Sequence, residues 1–200
     1  MEQNKIYEYS THIPMLRAVM RDYKPLFVLE LGIGLYSTPI LCKSSYLGIE
    51  NNFDWILEII GLYPEATVMH HRTDIGVSTL LKDLNEEQKS KISEYYKSLI
   101  IPGIHPNFLF VDNYASFRTI AINELRDKFD LIAYHDCQPD GVRAYAYDNL
   151  NKEGFNSYYL KSPTSWTCLM VRPDIDKGMT DLPIDDYLID WPDCKSMSYE

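Results

Sequence analysis

The chain has 200 residues and a formal net charge of −10, with 46% hydrophobic and 24% charged residues. This is enough apolar chain for one domain with a packed core, which excludes a disordered or fibrous protein. The acidic balance argues against gripping a nucleic-acid backbone, which takes clustered Lys and Arg, and no apolar stretch is long enough to span a bilayer.

The segment Met1 to Tyr9 is polar and has no apolar signal core, so the expectation is a cytoplasmic protein. In that setting Cys42, Cys137, Cys168 and Cys194, which have no metal-clip or redox spacing, are expected to be reduced thiols, mostly buried.

In chain order, Ile13, Leu16, Arg17 and Met20 have helical spacing, with Pro14 suited to a first turn. Leu26 to Leu31 is a short apolar run that stops at glycines, the pattern of a buried strand. Ser37, Thr38 and Pro39 open a helix through Cys42. Tyr46 to Ile49 is a second strand, Phe53 to Ile60 a second helix stopped by Gly61, and Ala66 to His70 a third strand. Asp83 to Leu99 is a long polar helix, Phe108 to Val111 a fourth strand, and Ser116 to Leu125 a further helix. Phe129 to Tyr134 is a fifth strand, and Asp140 caps a helix reaching about Leu150. Phe155 to Leu160 and Ser165 to Val171 are two strands with little between them, hence antiparallel.

Strand and helix alternate, which predicts a mostly parallel sheet with right-handed crossovers. The expected domain spans residues 1–172, with a helical insertion over 76–106 between the third and fourth strands. An acidic, Pro-containing tail follows over 173–200.

Ligands of an open parallel sheet sit beyond the carboxyl ends of its strands. Those ends carry Glu30 to Gly34, then Glu50-Asn51-Asn52, His70-His71 with Asp74, Asp112-Asn113, and His135-Asp136. Five strands delivering polar groups to one edge is more than core packing requires. Gly32 and Gly34 permit a tight turn after a buried strand, and the amides entering the Ser37–Pro39 helix can face an anion. Glu50 is placed to accept hydrogen bonds from ribose hydroxyls.

The run Val28-Leu29-Glu30-Leu31-Gly32-Ile33-Gly34-Leu35-Tyr36-Ser37-Thr38 resembles the first motif of class I S-adenosylmethionine-dependent methyltransferases. Gly48-Ile49-Glu50 followed by Trp55 resembles their second motif, and Leu109 to Asp112 and Phe129 to Ile132 resemble their fourth and fifth strands. The resemblance implies an α/β fold: a Rossmann-like, seven-stranded, mostly parallel sheet with helices on both faces and an antiparallel last strand. It implies S-adenosylmethionine as cofactor, with Glu30, Gly32 and Gly34 around its amino-acid part, Glu50 at the ribose and Asp74 at the adenine edge. Ser37, Thr38, Asn51 and Asp112 complete the expected cofactor-binding set. Two departures stand out: Tyr36 occupies the place of a third small residue, and the 76–105 insertion blurs the assignment of Asp74.

Methyl transfer is an in-line displacement that asks mainly for alignment and exclusion of water. An acceptor oxygen or nitrogen that carries a proton also asks for a base, for which His135 is the candidate, oriented by Asp112 or Asp136. The expected partner is a small-molecule or sugar- or nucleotide-linked acceptor, with no membrane and no nucleic-acid backbone. His70, His71, Asp74, His105, His135 and Asp136 are of metal-ligand type, but no metal is expected, because His70 and His71 are adjacent on a strand and point to opposite faces. Arg118 and Arg143 are read as ordinary surface ion-pair formers that can also meet an acidic substrate. Tyr145, Tyr147, Tyr158, Tyr159 and Trp166 are expected along the substrate side. The alternatives are a nicotinamide-dependent oxidoreductase, disfavoured because Ser37 replaces the third glycine of that fingerprint, and a non-catalytic binding or assembly protein of the same fold.

Overall fold

The computed structural model describes residues 11–76, 79–161 and 165–178. Its elements are α1 (Ile13–Asp22), β1 (Phe27–Leu31), α2 (Thr38–Leu41), β2 (Ser45–Glu50), α3 (Phe53–Leu62), β3 (Val68–His70), α4 (Glu86–Ser98), β4 (Asn107–Val111), α5 (Arg118–Leu125), β5 (Leu131–Tyr134), α6 (Pro139–Ala144), β6 (Asn156–Lys161) and β7 (Trp166–Val171). The seven strands form one sheet in the order β3-β2-β1-β4-β5-β7-β6. The first five run parallel, and β7 inserts antiparallel between β5 and β6.

Every residue of β1, β4 and β5 is buried, as strands covered on both faces must be. Their period-two alternation sorts side chains between two cores. Leu29, Leu31, Leu109, Val111 and Ile132 pack on one face with Ile92 and Tyr96 of α4 and Ala121, Ile122 and Leu125 of α5. Val28, Phe108, Phe110, Leu131 and Ala133 pack on the other, against Met15, Leu16 and Val19 of α1 and Leu41 of α2.

Several boundaries differ from those the sequence predicts. The long polar helix starts at Glu86 rather than Asp83, because Asn85 accepts from the Gln88 amide and the Gln88 side chain accepts from the Asn85 amide, closing a capping box. Gly61 lies inside α3 and does not stop it. The helix expected from Asp140 to about Leu150 is α6 alone, starting at Pro139 with no side-chain cap and ending at Ala144. Ala146 turns left-handed (φ 55°), and a one-turn 3-10 segment follows over Tyr147–Asn149. The Tyr145 carbonyl accepts from Thr119 and the Tyr147 hydroxyl donates to the His135 carbonyl, so tertiary contacts pull the chain off the helical path.

Of the tail, Pro173 to Gly178 is described. Asp176 accepts from Asn156 and Tyr158, tying this stretch to β6. The remainder of the tail, with Tyr187, Trp191 and Cys194, lies outside the described residues. Cys42, Cys137 and Cys168 are free thiols, the last two buried. Among the described residues no helix is long and apolar enough to cross a membrane.

Candidate active site

The parallel ladder continues past the strand ends and lines up the predicted polar residues. The Gly32 amide donates to the Ile49 carbonyl (2.9 Å), the Asp112 amide to Leu31 (2.8 Å), the His135 amide to Val111 (3.2 Å) and the His71 amide to Glu50 (2.8 Å). Gly32, Glu50, Asp112 and His135 therefore stand on one carboxyl rim, the place where open α/β sheets bind ligands.

Gly32 has φ +84°, and a Cβ there would lie 2.5 Å from the Asp112 carbonyl oxygen. Only glycine lets β1 turn away this close to β4. Gly34 donates its amide to the Thr38 hydroxyl (3.1 Å), and that hydroxyl donates to Glu30 (2.8 Å). The Tyr46 hydroxyl also donates to Glu30. Glu30 has no exposed surface, so it braces the turn from beneath instead of opening onto the rim. Ser37 makes no cap hydrogen bond, and α2 is one turn long. The expected anion-facing amides are already used, Thr38 N by Gly34 and Ile40 N and Leu41 N by Ser37, which corrects the idea of a helix N-terminus free for a ligand.

Burial pushes the Glu30 carboxyl up to about 7, against the hydroxyls of Ser37, Tyr46 and Thr38 that favour its charged form. Its proton is held more tightly folded than unfolded, so the stability it contributes is complete below its ordinary value of 4.5 and is lost as the pH rises to about 7. Glu30→Gln is expected to remove this loss, on the order of 2 kcal/mol. Urea midpoints of both proteins at pH 5 and above pH 7 measure it: the parent should fall and the variant stay level.

Glu50 is buried at the end of β2, and its Oε1 accepts the amides of Asn51 (2.7 Å) and Asn52 (2.8 Å). Asn51 donates its side-chain amide to the His71 carbonyl (2.8 Å), tying the ends of β2 and β3 together. Asp74 does not join them. It is exposed in the segment after β3, with Lys91 of α4 as an electrostatic neighbour. His70 and His71 do diverge, His70 to the Asn51 carbonyl and His71 into a parallel stack on Tyr95 with centroids 3.5 Å apart.

The far half of the rim is a buried ionic network centred on Arg118, at the start of α5. Its Nη2 meets Asp112 Oδ1 (2.8 Å) and its Nη1 meets Asp136 Oδ2 (2.9 Å). Nε donates to the Asn113 carbonyl, and the Tyr145 ring lies 4.3 Å from the guanidinium carbon. Arg118 is therefore a buried clamp, not the surface ion-pair former that its helix position suggests. Asp136 takes a left-handed backbone (φ 59°), which aims its carboxylate at this clamp. Burial alone would raise Asp112, but Arg118 and His135 outweigh it and hold the carboxyl below the usual carboxylate range.

His135 is buried, with Nδ1 3.4 Å from Asp112 Oδ2 and 3.6 Å from Asp136 Oδ1. Nε2 contacts the hydroxyls of Thr11 (2.8 Å) and Ser165 (2.9 Å), and Ser165 donates to Asp136 Oδ1 (2.8 Å). Burial lowers the affinity of His135 for its proton, but the two carboxylates prevail and the pKa is raised. His12, at the start of α1, stands edge-on to the His135 ring with centroids 4.9 Å apart.

Thr11, His12, Arg118 and Ser165 are the residues that sequence reasoning did not assign to this site. Of the predicted aromatic wall, Tyr145 and Tyr147 touch the network. Tyr158 and Tyr159, neighbours on β6, point to opposite faces, and Tyr158 packs on the α1 side away from the rim. The side chain of Arg143 is outside the described atoms.

Strand order, the antiparallel β7 and the polar carboxyl rim define the fold of class I methyltransferases. A methyltransferase from Geobacter sulfurreducens superposes with a TM-score of 0.51 at 14% identity, over 80% of this chain and 76% of that one. The SAH-bound Podospora anserina methyltransferase PaMTH1 superposes with a TM-score of 0.52 at 12% identity, over 79% and 76%. No protein-family model matches the chain, and no curated protein matches it by sequence. At such identities the likeness is one of fold, and the chain has the class I methyltransferase fold.

Proposed function

We propose that the protein is an S-adenosylmethionine-dependent methyltransferase acting on an oxygen or nitrogen of a small-molecule or sugar- or nucleotide-linked acceptor. The observation that carries this reading is the shared rim. The Gly32 turn, the buried Glu50 carboxylate and the Asp112–His135 pair follow adjacent strands of one sheet. The fit to an adenosine-bearing ligand is supported by Glu50, a buried carboxylate at the end of β2 where a ribose diol is gripped in such sheets. Gly32 and Gly34 border the amino-acid portion, with Ser37 and Thr38 behind the turn and Asn51 beside the ribose.

The cofactor supplies a methyl group on a sulfonium, ready for displacement. The chain's part is to hold the acceptor in line, exclude water and take its proton. His135 is the base in this reading, with Asp112 and Asp136 stabilising the charge it gains. Arg118 acts through those carboxylates and is a positioning residue.

Calorimetry with S-adenosylmethionine and S-adenosylhomocysteine tests the reading. Glu50→Gln is expected to weaken binding of either by about tenfold, the loss of one charged hydrogen-bond acceptor. Absence of binding of both by the parent protein at millimolar ligand ends the proposal.

A further inference from the structure

One feature of the rim is not used by methyl transfer. His12 is 3% exposed, and neither of its ring nitrogens has a hydrogen-bond partner among the described residues. A buried polar group left unsatisfied is destabilising, and native structures seldom keep one without a partner or a ligand for it. The ring faces His135 and Phe110, and among the described residues no carboxylate or carbonyl hydrogen-bonds to it.

His12, Asp112 and His135 present ligand atoms that all lie within 4.8 Å of one another. Between His135 Nδ1 and Asp112 Oδ2 the gap is 3.4 Å. That is long for a hydrogen bond, which closes at about 2.7–3.2 Å. It equals the edge of a tetrahedron whose centre is about 2.1 Å from each ligand, the bond length of zinc to imidazole or carboxylate.

The surrounding hydrogen bonds favour the required tautomer. Ser165 donates its proton to Asp136 Oδ1, so it accepts one from His135 Nε2, and Thr11 is a second acceptor for the same N–H. With that N–H held by Ser165 and Thr11, Nδ1 is the nitrogen that faces the Asp112 carboxylate, where it carries a proton in the free protein and loses it to a bound metal ion. A ligating histidine held by an outer hydrogen-bond chain to a carboxylate is the usual support of a metal site. Arg118 occupies Asp112 Oδ1 and leaves Oδ2 for this role.

We infer that His12, Asp112 and His135 form a binding site for one divalent transition-metal ion of the zinc type, with the remaining coordination open to water or an oxygen ligand. Two imidazoles and one carboxylate suit zinc, cobalt or iron(II) over magnesium or calcium, which take oxygen. His70, whose ring meets the Asn51 carbonyl, and His105, which pairs with Asp130, stand outside the set. When the ion is bound, His135 is a ligand instead of a base, and the cofactor half of the rim is unchanged. Metal binding and cofactor binding are therefore measured separately.

Chelator-treated full-length protein is titrated with cobalt(II), and the ligand-field absorption is followed. The expected result is saturation at one equivalent, with no thiolate charge-transfer band. His12→Phe, whose ring suits the contact with Phe110, is expected to weaken binding at least a hundredfold, while His70→Ala leaves it unchanged. Ser165→Ala, which keeps all three ligands, is expected to weaken it about tenfold or more through the lost outer hydrogen bond. A parallel thermal scan with zinc should raise the unfolding midpoint of the parent and not that of His12→Phe, which also reports whether the variant folds. Equal cobalt affinity of parent and His12→Phe, binding carried by thiolates, or no stoichiometric binding by the parent would each overturn the proposal.

Discussion

Arg118→Met is expected to lower the thermal midpoint by about 10 °C at neutral pH, one of the two largest losses any single change on the rim produces. The reason is what it leaves behind. Asp112 and Asp136 are each about three-quarters buried at the side chain, and both lean on the one guanidinium. Removing one partner of a buried ionic pair costs about 3–5 kcal/mol, because the remaining charge stays desolvated and unpaired. For a domain of this size that corresponds to about 2–4 °C per kcal/mol.

The pH dependence has a definite sign. Arg118 and His135 hold the Asp112 pKa below its ordinary 3.8, so the stability from this pair is present above that value and lost as the pH falls through the folded pKa. The gap between parent and variant should therefore narrow in acid. Arg118→Met combined with Asp112→Asn should recover part of the loss, since one unpaired charge is gone. Arg118→Lys should fall between, keeping the charge but not the fork that reaches two carboxylates and the Asn113 carbonyl. Scanning calorimetry of the four proteins decides it; a cost below about 1 kcal/mol for Arg118→Met, the range of exposed pairs, would contradict a buried clamp.

How much of this was legible beforehand follows from the kind of signal each residue carries. The strands of the parallel sheet are short apolar runs, and each ends at a polar residue; that local contrast is enough to place Glu50, Asp112 and His135 on one edge. The antiparallel position of β7 followed from the family resemblance and from the short link after β6. Helix ends were less legible, because Ala146 and the two tyrosines beside it obey contacts made with β5 and α5, which no local pattern encodes.

The deeper part of the site is long-range by construction. Thr11 and His135 are 124 residues apart and Ser165 stands 30 beyond His135, so neither pairing has a sequence period. Alternation along the strands did hold a usable clue. Asp112 continues the parity of Phe108 and Phe110, and His135 that of Leu131 and Ala133, which pack on α1. Both therefore project toward the helix whose first turn carries His12. Glu30 shows the opposite failing: its motif position suggests a ligand contact, but burial between Thr38 and Tyr46 makes it a brace.

Gly32→Ala should be the other severe change, and Gly61→Ala its counterweight. At Gly32 the new methyl would sit 2.5 Å from the Asp112 oxygen and 2.6 Å from the Asn113 nitrogen, both backbone atoms. They cannot withdraw without breaking the 2.8 Å hydrogen bond from the Asp112 amide to Leu31 that begins the rim. The φ of +84° adds a conformational penalty of about 1–2 kcal/mol for any residue with a Cβ, and the clash adds about 1–3 kcal/mol. The expected sum is about 3 kcal/mol or more, seen as a fall in midpoint of about 10 °C. Because the same turn faces the proposed cofactor, affinity for S-adenosylhomocysteine should fall by more than tenfold in whatever fraction stays folded. Gly61 lies in α3 with nothing within 4 Å of a Cβ built there. Alanine at that position should raise stability by about 0.5–1 kcal/mol through helix propensity and leave ligand binding untouched. If calorimetry finds the two alanines equivalent, β1 does not turn away against β4 in the way the rim requires, and both the turn and the cleft built on it are wrong.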